Sequence, residues 1–64
     1  MRHTELWARL EEALGIAYAE TWAKDQVIGG LGSRTVVEAL DAGVPPKQVW
    51  LEVWRALDLP PSAR

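Results

Sequence analysis

Cysteine and phenylalanine are both absent from this chain of 64 residues, and it has a single histidine, His3. Without cysteine there is neither a disulfide nor a thiolate ligand for a metal ion, and one histidine cannot form a zinc site alone. The sequence therefore predicts no metal site and no cofactor. The absence of cysteine also fits a reducing, cytoplasmic location.

Long apolar runs are absent as well. The longest fall far short of the roughly 20 residues that a membrane-spanning helix needs, and Met1–Trp7 has no apolar stretch typical of a signal peptide. The net charge at pH 7 is −2, whereas a nucleic-acid-binding domain usually has a basic surface. We therefore expect no membrane partner, and the charge disfavours nucleic acid as a partner.

The chain is instead rich in tryptophan, with four in 64 residues. A buried tryptophan hides roughly 150–250 Å² of surface, so a few of them can supply much of a small core. Their spacing on helices predicts that Trp7, Trp22 and Trp50 fill the core. Trp54 lies at the edge of an apolar face, where it either packs against the glycine turn or the C-terminal tail, or anchors a partner.

Glycines and prolines divide the chain into four helical segments, and no segment alternates with the period of two typical of a strand. The predicted helices run over Thr4–Leu14, Ile16–Ile28, Val36–Ala42 and from the Pro45–Pro46 pair to Leu57.

Local end signals support these segments. Thr4 is the predicted N-cap of the first helix and Gly15 its end. Thr35 and Glu38 have the spacing of a capping box, and Gly43 suits the position after the third helix. The second helix is apolar on more than one side, so it is predicted to pack on two neighbours. We therefore expect a single all-α domain over residues 1–64, a compact bundle of three main helices and one short helix around a tryptophan-rich core.

The fourth helix carries the predicted partner-binding surface. Leu51 and Trp54 lie at or beyond the edge of its main apolar face, and Lys47 and Arg55 flank them. Tryptophan is enriched among the residues that dominate binding energy at protein interfaces. These four residues are therefore predicted to bind another protein, and the same edge would serve a homodimer.

The glycine turn at residues 29–32 has two interpretations. Asp25 and Arg34 bracket it and are predicted to pair and fix its geometry. Alternatively, the free amides at the start of the third helix, near Thr35, hold an anion with help from Arg34. A phosphate-binding loop of the P-loop type is excluded, because the required lysine and the preceding strand are missing.

No set of residues points to catalysis, so we expect a protein that is not an enzyme. An alternative function is DNA binding, because the short helix, turn and longer helix of residues 36–57 resemble a helix-turn-helix motif. In that motif the second helix would present Lys47, Gln48 and Arg55. A phosphate-dominated interface usually needs more cations than these.

Two segments are distinctive, Leu31-Gly32-x-Arg34-Thr35 and Gly43-Val44-x-Pro46-x-x-Val49-Trp50. Together with Met1-Arg2-x-Thr4-Glu5, Gly15-x-Ala17-Tyr18-Ala19 and Ala56-Leu57-Asp58-Leu59-Pro60, they make nearly the whole chain resemble the small actinobacterial proteins grouped as domain of unknown function 3046. The resemblance implies a small helical cytoplasmic domain with no assigned activity. Members of that family tend to be encoded beside the recombinase of homologous DNA repair and its regulator.

The chain departs from the pattern of that family at four positions. Trp54 stands where a cysteine is common, Leu14 and Leu57 where phenylalanine is common, and Trp22 where a smaller residue is common. These exchanges indicate a core repacked around tryptophan. The function we expect is a non-enzymatic protein–protein interaction module, linked by its family to DNA repair or recombination.

Overall fold

The computed structural model describes every residue from 1 to 64. It contains four α-helices and no strand, so the predicted all-α class is confirmed. The helices are α1 (His3–Leu14), α2 (Ile16–Asp25), α3 (Val36–Asp41) and α4 (Pro46–Ala56), with 3-10 turns at Gly29–Leu31 and Pro61–Ala63. None of the helices combines the length and apolar character needed to cross a bilayer.

Helix α1 begins before its predicted cap. The backbone of Arg2 is extended, and its carbonyl accepts the first helical hydrogen bond from the Leu6 N–H (3.0 Å). Thr4 therefore lies inside the first turn, and its prediction as the N-cap is wrong. The predicted end is confirmed, because Gly15 leaves the helix with φ 87° and ψ 147° and its N–H donates to the carbonyl of Glu11.

Helix α2 ends three residues earlier than predicted. The chain becomes extended at Gln26, and Ile28 forms an isolated antiparallel bridge in which its N–H donates to the carbonyl of Arg34 (3.0 Å). Gly32 and Ser33 make the reversal through positive φ angles of 73° and 60°. Ile28 is buried, so burial of its side chain and pairing of its backbone replace the last predicted helical turn.

The ends of α3 match the sequence signals. The hydroxyl of Thr35 accepts the Glu38 N–H (3.1 Å) and the Glu38 carboxylate accepts the Thr35 N–H (2.9 Å), which confirms the capping box. Gly43 has φ 91°, and the N–H of Val44 donates to the carbonyl of Ala39. This is the Schellman arrangement that satisfies the last carbonyls of a helix.

Helix α4 ends in the same arrangement without a glycine. The N–H of Leu59 donates to the carbonyl of Trp54, the N–H of Asp58 donates to that of Arg55, and Asp58 takes the left-handed position with φ 52°. Aspartate tolerates this region better than most side chains. Pro60 follows two residues later, so the chain leaves α4 at a fixed place and returns along its side.

The core consists of twelve buried apolar side chains. They are Leu6, Leu10, Ala19, Trp22, Ala23, Ile28, Leu31, Val36, Ala39, Val49, Trp50 and Val53. Trp22 and Trp50 are core residues as predicted, whereas Trp7 is half-buried and packs against the core from outside. Helix α2 packs on both α1 and α3, which confirms the two neighbours predicted for it.

Replacing Gly15 with alanine is expected to lower the free energy of unfolding by about 1–3 kcal/mol. A new Cβ would meet no atom within 4 Å, so the loss comes from backbone strain at φ 87°. Urea unfolding followed by circular dichroism measures it. Gly29→Ala is the matched control, because its Cβ also meets nothing within 4 Å and its φ is not positive. Equal losses in the two variants would contradict the strain argument.

Candidate interaction surfaces

The structure brings the four predicted partner-binding residues together on one side of α4. Lys47 and Arg55 are exposed, while Leu51 and Trp54 are half-buried. Leu51 does not belong to the half-buried apolar residues that pack against the core, whereas Trp54 does. Leu51 is therefore the apolar side chain on this face that is least engaged by the rest of the molecule.

Trp54 is covered by the segment that follows α4. Its Nε1–H donates to the carbonyl of Pro60 (2.8 Å), and the guanidinium carbon of Arg64 lies 5.5 Å from the centre of its ring. Of the roles considered for Trp54, the structure shows packing against the C-terminal tail. Its indole donor is already satisfied within the chain.

The side of α4 that carries Lys47, Leu51, Trp54 and Arg55 is called the α4 face. Its two cations differ in whether they form an ion pair. Arg55 forms an ion pair with Glu52 (3.1 Å), while Lys47 has no acidic partner. The Glu52 carboxylate also lies against Gly30, where an added Cβ would overlap it. Glu52 therefore joins α4 to the glycine turn and offsets the charge of Arg55.

The glycine turn is held by backbone contacts and not by the side chains that were predicted to fix it. The hydroxyl of Thr35 is occupied by the capping box, and the residue is buried. Asp25 and Arg34 are both exposed and form no ion pair, so their predicted pairing is wrong. An exposed pair gains little free energy, and the backbone bridge between Ile28 and Arg34 fixes the turn without one.

One feature of the structure agrees with the helix-turn-helix comparison. Residues 42–45 connect α3 to α4, and Lys47 and Gln48 are exposed in the first turn of α4. The paired Arg55 contributes little net charge to this surface, which leaves few cations for contacts with phosphates.

The structure contains a groove between α1, α2 and α3 that the sequence did not predict. It encloses about 360 Å³ and is lined by Trp7, Glu11, Ile16, Ala19, Glu20, Lys24 and Val37. Ile16 is 78% exposed, although its helical spacing from Ala19 and Ala23 places it in an apolar row. The missed signal is its position directly after Gly15, at the first residue of α2.

The charges around this groove do not all cancel. The Nζ of Lys24 donates to Oε1 of Glu20 (2.9 Å). This hydrogen bond lowers the pKa of the Glu20 carboxyl and raises the pKa of the Lys24 ammonium, and the Coulombic attraction adds to both effects. Both groups therefore stay charged at neutral pH and offset each other. Glu11 has no such partner, so the lining carries one uncompensated negative charge.

A second cleft of about 450 Å³ lies between α1, α4 and residues 59–64. Its lining consists of Arg9, Glu12, Ala13, Trp50, Leu59, Ser62, Ala63 and Arg64. The Nε1–H of Trp50 donates to the carbonyl of Ala63 (2.9 Å), and Nη1 of Arg9 donates to that of Arg64 (2.9 Å). The guanidinium carbon of Arg9 lies 5.7 Å from the centre of the Trp50 ring.

The family of the chain follows from a comparison with family models. The model described as protein of unknown function (DUF3046) matches residues 1–62, which is nearly the whole chain. The chain therefore belongs to this family, and the resemblance inferred from its motifs is confirmed. Neither the curated proteins nor the solved structures contain a significant match.

Replacing Thr35 with valine is expected to lower the free energy of unfolding by about 0.5–2 kcal/mol, because α3 loses its N-terminal cap while the buried shape is kept. The exposed Thr21 of α2 has no side-chain hydrogen bond, so Thr21→Val is the control and should stay within about 0.5 kcal/mol. Thermal unfolding of the two variants measures the difference. A neutral Thr35→Val would show that the cap does not stabilise α3.

Proposed function

We propose that this member of the DUF3046 family acts by binding another protein and not by catalysis, and that the groove between α1, α2 and α3 receives the partner. The observation that carries the proposal is Ile16, which is 78% exposed and lines the same groove as the half-buried Trp7. Burying a side chain of this size gains about 1.5–3 kcal/mol. A partner that covers it therefore gains substantial free energy from one residue.

The lining of the groove defines the chemistry of the partner. Trp7, Ile16 and Val37 offer apolar surface, and Glu11 supplies the uncompensated charge. A short amphipathic segment with an apolar anchor and an adjacent lysine or arginine fits both features. The groove, about 360 Å³ in volume, has room for a few side chains and not for a folded domain.

The biological setting is part of the same proposal. The gene neighbourhood implied by the family resemblance favours a partner that acts in homologous DNA repair, and the absence of cysteine favours the cytoplasm. The α4 face of Lys47, Leu51, Trp54 and Arg55 is the competing surface for this partner or for a second copy of the chain. In support of that face, Leu51 is half-buried without packing against the core.

Direct DNA binding is the second candidate function. One observation favours it, the exposure of Lys47 and Gln48 in the first turn of the helix that follows the α3–α4 turn. In a helix-turn-helix motif these positions contact base edges. Affinity for DNA would then fall steeply with salt concentration.

Replacing Ile16 with serine is expected to weaken capture of the partner by at least about tenfold, which corresponds to 1.4 kcal/mol of binding free energy. Tagged protein incubated with native lysate, followed by quantitative mass spectrometry, measures the recovery. Val27→Ser is the matched control, because Val27 is also a β-branched apolar residue, is 53% exposed and lines neither cavity. Equal recovery with Ile16→Ser and Val27→Ser would rule out the groove.

Two further arms of the same experiment separate the alternatives. Leu51→Ser tests the α4 face. If Leu51→Ser fails to capture the partner while Ile16→Ser still captures it, the site lies on the α4 face. Treatment of the lysate with nuclease tests the DNA candidate, since a protein recovered only from the untreated half is bridged by nucleic acid. Circular dichroism of each variant confirms that the helices are intact.

A further inference from the structure

We propose that Trp50 and Trp54 form a receptor for a proline-containing segment, which residues 59–64 of the same chain occupy in the free protein and which a leucine-proline-proline segment of a partner protein can occupy in their place. This surface lies along α4 and is separate from the groove between α1, α2 and α3. The inference therefore stands independently of the proposed function.

The two indole donors and their acceptors have matching spacings. Trp50 and Trp54 are four residues apart on α4, so they lie on one side of the helix about 6 Å apart along its axis. Their acceptors, the carbonyls of Ala63 and Pro60, are three residues apart in a 3-10 turn, which also spans about 6 Å. Both hydrogen bonds are short, at 2.9 and 2.8 Å. An indole N–H is only a donor, so the pair selects a segment that presents two carbonyls at this spacing.

Proline suits the bound conformation. Pro60 has φ −67° and ψ 157°, which is close to the polyproline II geometry that proline adopts without a partner. Pro61 starts the 3-10 turn, where its missing N–H costs no hydrogen bond. Because the segment is largely set in this shape before it binds, little conformational entropy is lost, as in other aromatic grooves that recognise proline-rich segments.

The remaining contacts define the rest of the ligand. Leu59 is half-buried and packs against the core. Arg64 lies over the Trp54 ring at 5.5 Å, a distance at which a guanidinium is attracted to the face of an indole. A matching segment thus needs a leucine before the two prolines and gains from a cation after them.

The chain's own segment is held by hydrogen bonds from Arg9, Trp50 and Trp54 and by the packing of Leu59, and these few contacts are the ones that an incoming segment has to replace. Pro60, Pro61 and Ser62 are exposed, and the cleft of about 450 Å³ lies between the segment and α1, bridged by the hydrogen bond from Arg9 to Arg64. No ion pair holds it. Segments with few buried contacts open locally without unfolding of the whole domain. Asp58, at φ 52°, is the only residue between Leu57, the C-cap of α4, and this segment, so it is the hinge.

The same short connection favours a partner protein over a second copy as the source of the incoming segment. An exchange of segments between two copies would require their α4 helices to end side by side, since only Asp58 separates Leu57 from Leu59. A segment from a different protein has no such constraint. It competes with the internal segment, so its apparent affinity is reduced by the fraction of molecules in which the site is open.

The test uses the full chain labelled with ¹⁵N, whose four tryptophans give four indole N–H signals, and a blocked peptide with the sequence of residues 58–64. We expect the peptide to shift the signals of Trp50 and Trp54 and to leave those of Trp7 and Trp22 in place. Leu59→Ser, which loosens the internal segment, should bind the peptide at least about tenfold more tightly than the original chain. A peptide with both prolines replaced by alanine should bind several-fold more weakly to either protein.

Two controls keep the result interpretable. Trp54→Phe keeps an aromatic ring at this position and removes one donor, so it should lose most of the peptide affinity while its helix content is unchanged. Hydrogen exchange of the indole protons is measured in the original chain, so this control does not depend on whether a variant folds. The Trp50 and Trp54 indole protons should exchange faster than the backbone amide of the buried Val53, because only residues 59–64 have to open.

Three outcomes would overturn the proposal. The first is exchange of those indole protons only at the rate of global unfolding. The second is that saturating peptide leaves the Trp50 and Trp54 signals unmoved or moves that of Trp7 instead. The third is reversible dimerisation of Leu59→Ser in sedimentation experiments without peptide, since a second copy would then be the occupant.

Discussion

Trp50 is the side chain that holds α4, α1 and the segment after α4 to one another. Its side chain is only 2% exposed, and it reaches from α4 into the shared core. At its edge the indole N–H holds Ala63, and Arg9 of α1 lies over the ring. A chain of this size buries only about 60% of its unfolded surface, so one large side chain that joins two helices and the following segment has a large share in holding the fold together.

Trp54 and Trp7 are both half-buried, but they differ in what covers them. Trp54 is shielded by residues that follow it closely in sequence, and its polar atom is satisfied by Pro60. Trp7 has no such cover and leaves part of its ring along the groove with Ile16. Half-burial therefore produces one surface that the chain covers itself and one that stays open. This difference is why the proposed partner site lies on α1 and α2, while the α4 surface calls for displacement of a segment.

Part of the candidate site could be predicted and part could not. The shared face of Lys47, Leu51, Trp54 and Arg55 follows from helical spacing alone, and the structure places all four on one side of α4. The cover of Trp54 does not follow from that spacing, because it depends on how residues 59–64 return along the helix. The pair of Glu52 and Arg55 is local, since the two residues are three apart on α4. The groove around Ile16 was missed because exposure at a helix start depends on the angle at which α1 and α2 meet, and Gly15 sets that angle through a backbone conformation that spacing does not report.

The helical class, the family, the end of α1 at Gly15 and the capping box of Thr35 and Glu38 could all be predicted from the sequence. The two helix ends rest on interactions between residues at most four apart, which the local sequence specifies. Three features became clear only from the folded chain: Ile28 leaves α2 to pair with Arg34, Asp25 stays unpaired, and Trp50 and Trp54 hold the following segment. The contacts of Ile28, Trp50 and Trp54 join residues six to thirteen positions apart, so they depend on how the chain folds back and not on local preference.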